Sequence, residues 1–377
     1  MIYKLKDLFE LQMGKTPSRH NADYWGGNNK WISIADIGNA NKYIENTKEC
    51  ISDKAVAESG IKKVPKGTVI MSFKLSIGKT TITTEDMFTN EAIMAFIDKG
   101  ICPIDTDYLY HFCCGKDWLA GTNKAVMGLT LNKATLSEIK ISVPNIEIQR
   151  EIALKLDKID ELIGMRRKEL DMLIQLVKSR FIEMFGTLSS NEQNFEVLTI
   201  EALCSLIKDG THQTPTYTED TINGFKFLSS KDVMTEKIDW SDIKYIPSDL
   251  HDKLYAAVKP IRNDILMSKN GVNYGVAAVN DTDEVFDIYV SLALLRPKTD
   301  IINPVYFRCA INNPDTKRQF DGSIKGIGVP NLHLGEIKKT QILVPPMDKQ
   351  IEYVSFVEQT DKSKYHGEFT YEMEVAA

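Results

Sequence analysis

The feature that most constrains this chain is that it is written twice. Trp31-Ile-Ser-Ile-Ala-Asp36-Ile37 returns as Phe227-Leu-Ser-Ser-Lys-Asp232-Val233, 196 positions later. At the same offset, Gly67-Thr-Val-Ile-Met71-Ser72 returns as Asn263-Asp-Ile-Leu-Met267-Ser268. Each copy then runs through a glycine-containing turn into a second β-rich stretch, Thr80-Thr81-Ile82 or Val276-Ala277-Ala278-Val279, which predicts a hairpin. Further on, Gly128-Leu-Thr-Leu-Asn132 parallels Gly326-Ile-Gly-Val-Pro330, and Ser137-Glu-Ile-Lys140 parallels Gly335-Glu-Ile-Lys338. Val143-Pro144 with Gln149 parallels Val344-Pro345 with Gln350. Five segments in one order argue against chance, and the slow drift in offset marks small loop insertions. A repeat this long is a duplicated domain and not a solenoid unit.

Between the copies lies sequence of another kind. Apolar residues recur at Ile148, Ile152, Leu156, Ile159, Ile163, Leu170, Leu173, Val177 and Phe181, in steps of three, four or seven. That is a helical seam close to heptad spacing. Pro144 precedes it, Gly186 follows it, and Gly164 is a modest penalty inside it. About 36 residues at ~1.5 Å each make a rod of ~54 Å. A second helix is expected after Pro345-Pro346, where Met347, Ile351, Val354 and Val357 keep helical spacing. His366-Gly367 interrupt that pattern, so this helix is expected to fade near Lys364 at about half the central length. The expected architecture is therefore a mixed α/β (α+β) chain with two similar domains, residues 1–145 and 187–345. A central spacer helix, 146–186, separates them, and a shorter distal helix and tail, 346–377, follows. The long helices are expected to pack antiparallel, with pseudo-twofold symmetry.

Composition sets outer bounds. The 377 residues are 43% hydrophobic and 26% charged, an ordinary globular balance. No apolar run is long enough to span a bilayer, and MIYKLKDLFE lacks a signal-peptide core, so a cytoplasmic location is expected. The six cysteines form no C-x-x-C pair and have no histidine at zinc-ligand spacing, so no metal is expected. The net charge of −6 counts against a protein that coats DNA nonspecifically but leaves a locally basic groove open.

Enzymatic signatures are weak. Ile77-Gly78-Lys79-Thr80 resembles the end of a P-loop, but Phe73 stands where the first glycine belongs, and the flanks read strand–turn–strand. Asn313-Pro314-Asp315 and Val344-Pro345-Pro346-Met347 both fail the Asn/Asp-Pro-Pro-aromatic pattern of amine methylation, and no glycine-rich cofactor loop follows a strand. The six histidines lie outside any nucleophile-elbow context.

Two polar loops carry residue types that read base edges and hold phosphates: Lys15, Thr16, Ser18, Arg19 and His20, and Thr211, His212 and Gln213. Lys74 and Ser76, with Lys269 and Asn270, form a third candidate pair on equivalent turns of the two copies. The bland alternative is that all of these are structural turns with exposed polar residues.

The pattern resembles the specificity subunits of type I restriction-modification systems. Gly14-Lys-Thr-Pro-Ser18 with Tyr24-Trp25-Gly26 and Trp31 looks like the opening of one class of target-recognition domain. Asp209-Gly-Thr-His-Gln-Thr-Pro215 with Phe227-Leu-Ser-Ser230 looks like another. Ile141 to Gln149 and Gln341 to Gln350 look like the starts of the helical spacers. The resemblance implies that each domain reads one half of a split double-stranded DNA target. It implies that the helices set the spacing and dock modification (methyltransferase) subunits, with restriction subunits joining. S-adenosylmethionine, ATP and magnesium are then expected on those partners and no cofactor or catalytic residue here. Leu170, Leu173, Val177 and Phe181 are the expected partner-binding residues. Two other classes stay open: a duplicated non-catalytic adaptor that binds protein through its long helix, and a stand-alone enzyme with an unrecognised site.

Overall fold

The duplication is visible in the backbone of a computed structural model, which describes residues 1–74, 76–118, 131–324 and 330–376. The repeat segments at 128–130 and 326–329 lie outside the described residues. The chain divides into two compact units, Met1–Gly164 and Met165–Ala377.

In the first unit, a five-stranded sheet has the order Phe9–Met13, Ile93–Asp98, Val69–Ser72, Thr80–Thr83, Tyr43–Ile44. The neighbours are antiparallel except the last pair. A three-stranded sheet, Glu49–Ile51, Trp25–Ile32, Phe88–Thr89, accompanies it. The second unit repeats the plan with Cys204–Asp209, Leu292–Pro297, Ile265–Ser268, Ala277–Val279 and the triplet Lys244–Ile246, Phe225–Leu228, Phe286–Ile288. Each unit is closed by a strand pair formed from its two ends: Ile2–Lys4 with Lys140–Ser142, and Glu196–Thr199 with Gln341–Val344. Strand interiors such as Val69-Ile70-Met71 and Ile265-Leu266-Met267 are wholly buried, as expected of sheets covered on both faces.

The repeated sequence words are repeated structural devices. In Ser33–Asp36 and Ser229–Asp232 a buried aspartate accepts the serine backbone N–H, at 2.8 and 2.7 Å, and so caps the turn after each strand. Ile77-Gly78-Lys79-Thr80 is the turn of a hairpin between antiparallel strands, with Gly78 at φ 90°. Asn313 in Asn313-Pro314 caps the helix Pro314–Ser323 by accepting from the Asp315 N–H, an arrangement that Pro at the first helical position favours.

The central helix spans Ile146–Phe185. The Asn145 side chain accepts from the Ile148 N–H at its start, and Gly186 closes it at φ 72°. The two compact units divide inside this helix, at Gly164, so each half belongs to the domain beside it. The distal helix differs from expectation. It spans Met347–Ala376, 30 residues against 40, and does not break at His366-Gly367. One interior glycine costs a helix only about 1 kcal/mol, which does not terminate it.

Both helices are pinned to their domains by the same buried glutamine. Gln149 accepts the Asp105 N–H at 2.9 Å and donates to the carbonyls of Pro103 and Pro144 at 3.0 and 2.9 Å. Gln350 accepts the Asn303 N–H at 2.8 Å and donates to the carbonyls of Ile301 and Pro345 at 3.1 and 2.8 Å. Both side chains are fully buried. Gln149→Leu and Gln350→Leu strand these backbone groups, at about 1–3 kcal/mol each. The expected result is a fall in the melting temperature of the variant chain, with faster amide exchange at the start of the affected helix. Unchanged melting would show that water replaces the amide at no cost.

Further along the central helix, Asp157 ties it to the first domain. Its carboxylate accepts from Lys42 at 2.5 Å and sits 2.8 Å from Nε2 of His111, which is buried. In the second unit Phe181 stacks on Tyr306 at 5.5 Å and meets Phe185 and Tyr353 edge to face. Tyr353 donates to the Val177 carbonyl at 3.1 Å. Phe181 is 5% exposed. It is therefore a core residue of its domain, a correction to its place among the partner-binding residues, and its aromatic neighbours are the reason. Val177 packs partly on the same core. Leu170 and Leu173 are only partly buried.

Candidate nucleic-acid interface

In each unit the polar loop leaves the edge strand of the larger sheet at a glycine. Gly14 follows Phe9–Met13 and Gly210 follows Cys204–Asp209. The Gly14 N–H donates to the Ile93 carbonyl at 3.2 Å and the Lys15 N–H to that of Thr89 at 2.8 Å. Gly210 and Thr211 donate in the same way to Leu292 and Ile288, at 3.2 and 3.0 Å. A Cβ at Gly14 would lie 2.2 Å from the Asn90 carbonyl oxygen, and one at Gly210 2.3 Å from that of Ile288. The close approach explains glycine at both places and gives the loops one origin.

The structure brings loop and turn together in both units. In the first, Glu91 is the centre. Its carboxylate accepts from the Thr16 hydroxyl. Burial works against its charge, but the Thr16 hydrogen bond and the nearby charges of Lys74 and Arg19 outweigh that and hold its carboxyl below the usual range. Arg19 offers two N–H groups side by side to Glu49, at 2.5 and 2.8 Å, and its guanidinium lies 3.6 Å from the centre of the Trp25 ring. Trp25 meets Trp31 edge to face at 5.1 Å. The guanidinium is thus held over an aromatic ring with both terminal nitrogens on a carboxylate, the bidentate pairing its planar fork favours. Lys15, Ser18, Arg19, His20 and Ser76 are exposed, and Thr16 and Lys74 half-buried.

In the second unit Asp209 plays the joining part. It pairs with Lys269, and His212 Nε2 stands 3.7 Å from its other oxygen. The Thr211 hydroxyl accepts from the Gln213 N–H at 3.1 Å. His212, Gln213 and Asn270 are exposed. Lys269 departs from expectation: it is 5% exposed, its backbone bonds to Ser291 and Leu332, and its ammonium is held by Asp209. It is a strut between loop and turn, and Asn270 is the exposed group of that turn.

Sequence reasoning missed the carboxylates that hold these loops, Glu49 and Glu91. Neither stands in a motif, and their partners are 30 and 75 residues away in sequence. Among the described residues no cluster of three or more His, Cys, Asp or Glu could hold a metal ion, and no helix is long and apolar enough to cross a membrane.

A sequence model of the type I restriction modification DNA specificity domain matches residues 1–173. The chain is 26% identical over 369 residues to the type I restriction enzyme MjaIX specificity subunit of Methanocaldococcus jannaschii, covering 92% of this chain and 83% of that one. It is 22% identical over 331 residues to the EcoBI specificity subunit of Escherichia coli, covering 79% and 68%. Among solved structures, one described for complex assembly and conformational transition of the type I R-M system aligns over 100% of this chain and 94% of that one, with TM-score 0.60 and 14% identity. The type I S subunit from M. genitalium aligns over 100% and 93%, with TM-score 0.50 and 15% identity. At such identities the structures speak to the fold. The adaptor alternative is not supported, since the matching domain model and these relatives are DNA specificity components. On these grounds the chain is similar to the specificity subunits of type I restriction-modification systems over most of its length, and its first 173 residues match their DNA specificity domain.

Proposed function

We propose that each unit of this cytoplasmic, non-catalytic subunit reads one half of a bipartite double-stranded DNA target through its own loop and turn. Modification subunits docked on the long helices then methylate adenine at the site so chosen, and restriction subunits join the same complex. The observation that carries this reading is the paired construction: the same glycine exit, loop and turn, once per domain, on equivalent strands. Lys15, His20 and Lys74 in one unit, and His212, Gln213 and Asn270 in the other, are the groups available to bases and phosphates, and Arg19 joins them where DNA displaces Glu49 from its guanidinium. S-adenosylmethionine, ATP and magnesium belong to the partners, so calorimetry of the isolated chain with S-adenosylmethionine is expected to give no heat of binding. A stoichiometric micromolar isotherm would overturn that assignment.

The reading is tested by mapping methylated adenines in the DNA of cells that express the complex, with and without Lys74→Ala and Asn270→Ala. A lost base contact relaxes one position, at ~1–3 kcal/mol, whereas a lost phosphate contact weakens all sequences alike. Each variant is expected to act on the half-site of its own domain. If both leave affinity and sequence choice unchanged, the turns are structural.

A further inference from the structure

The loop that carries Arg19 is held by a single strand, Trp25–Ile32. The indole N–H of Trp31 donates to the Lys15 carbonyl at 3.1 Å, and that of Trp25 to the Ser18 carbonyl at 3.2 Å. The same two rings carry the guanidinium, 3.6 Å from the centre of Trp25 and 5.2 Å from that of Trp31. Glu91, whose charge also faces Arg19, is tied to Thr16. Glu49 stands apart from this scaffold, on the neighbouring edge strand Glu49–Ile51, in register with Trp31. The Arg19 and Glu49 side chains are 50% and 40% exposed. An ion pair this exposed contributes little to stability, so it can be exchanged while the tryptophans keep the loop in place.

What can be exchanged for it follows from its chemistry. A phosphate would take Arg19 but leave Glu49 charged beside a polyanion, which repels it. The DNA groups that suit a carboxylate are base amino groups, with cytosine N4 the foremost in the major groove. Guanine presents two acceptors there, O6 and N7, and its paired cytosine presents the N4 donor. A G·C pair thus offers each member of the ion pair the kind of partner it gives up. An A·T pair does not, because adenine N6 is a donor where the fork needs a second acceptor. We propose that Arg19 and Glu49 together read one G·C base pair of the first half-site, Arg19 donating to guanine O6 and N7 and Glu49 accepting from cytosine N4. The proposal rests on the reading that this loop lies on DNA, and it makes Glu49 a specificity-determining residue.

The test uses the full chain assembled with its modification subunits, on the target that methylome mapping gives. Each guanine of the first half-site is replaced in turn by 7-deazaguanine, which lacks N7, and each cytosine by pyrimidin-2-one, which lacks the N4 amine. With wild type, one guanine and the cytosine paired with it are expected to show losses of affinity of roughly tenfold each. The guanine loss is expected to vanish in Arg19→Met, and the cytosine loss in Glu49→Ala. Glu49→Ala is also expected to bind random DNA more tightly, with a steeper salt dependence, because it frees a cation for phosphates. A first half-site without a G·C pair, sensitive positions on two different base pairs, or losses that persist in the variants overturn the proposal. So do variants that weaken all sequences alike, since Arg19 then holds a phosphate. A marked fall in the melting temperature of either variant, with the whole half-site relaxed, makes the pair a structural strut and overturns it too. In each of these cases the wider reading stands if Lys74→Ala still acts on the first half-site. If Lys74→Ala, Arg19→Met and Glu49→Ala all leave affinity and sequence choice unchanged, the loop does not lie on DNA and the wider reading falls with the proposal.

Discussion

Exchanging residues 1–143 for the first domain of another specificity subunit is expected to change one half of the methylated DNA sequence completely and leave the other half untouched. The exchange removes the first loop and turn, Lys15 to His20 and Lys74, together with Glu49 and Glu91 that hold them. It leaves Thr211, His212, Gln213 and Asn270, whose fixed partners all lie within the second unit. The junction at 143 falls just before Pro144 and Asn145, so the helix cap is kept. Gln149 is kept as well, but two of its partners, Pro103 and Asp105, now come from the donor, which must offer a carbonyl and an N–H in the same places. Methylome mapping of cells carrying the chimera reads the outcome. Several specific base contacts separate a cognate from a foreign half-site, at ~1–3 kcal/mol each, so the switch is expected to be all or none. A change in both halves would show that the two units read cooperatively.

The architecture was legible because duplication doubles weak signals. A single Ser-x-x-Asp or Val-Pro-x-x-x-x-Gln is common, but the same words in the same order twice mark positions where the fold demands them. The structure gives the reasons: a capping aspartate in one case, a buried glutamine bridging three backbone groups in the other. The central helix could be placed to within a few residues because its start and stop are local chemistry, Asn145 before it and Gly186 after it. The distal helix was misjudged for the opposite reason: His366-Gly367 is a weak local signal, and the backbone continues through it. The interface was only half legible. Loop composition marks which residues are polar but not which of them tertiary contacts consume. Lys269 and Phe181 lie beside Asn270 and Val177 in sequence, yet one is fixed by Asp209 and the other by Tyr306 and Tyr353, far along the chain.

Four residues inserted near Glu169 are expected to lengthen the spacer between the two half-sites by one or two base pairs and to change neither half-site. The insertion adds about one helical turn, ~6 Å, while roughly preserving the direction of the apolar seam. DNA rises ~3.4 Å per base pair, so the added length matches nearly two. Glu169 is suited to the purpose because the fixed points of the helix lie on either side of it. Gln149 and Asp157 tie the helix to the first domain. Val177, Phe181 and Phe185 tie it to the second. Glu169 itself is exposed and bonds only along the helix, to Arg166 at 2.6 Å, so the insertion leaves both sets of contacts intact. It also moves Leu170 and Leu173 together with the second unit, so the face proposed to dock a modification subunit stays whole within that unit. Inserting two residues instead rotates one domain against the other by about 200° and is expected to abolish methylation, not to shift the spacer by one. An unaltered spacer in the four-residue variant would mean that something other than this helix sets the distance between half-sites.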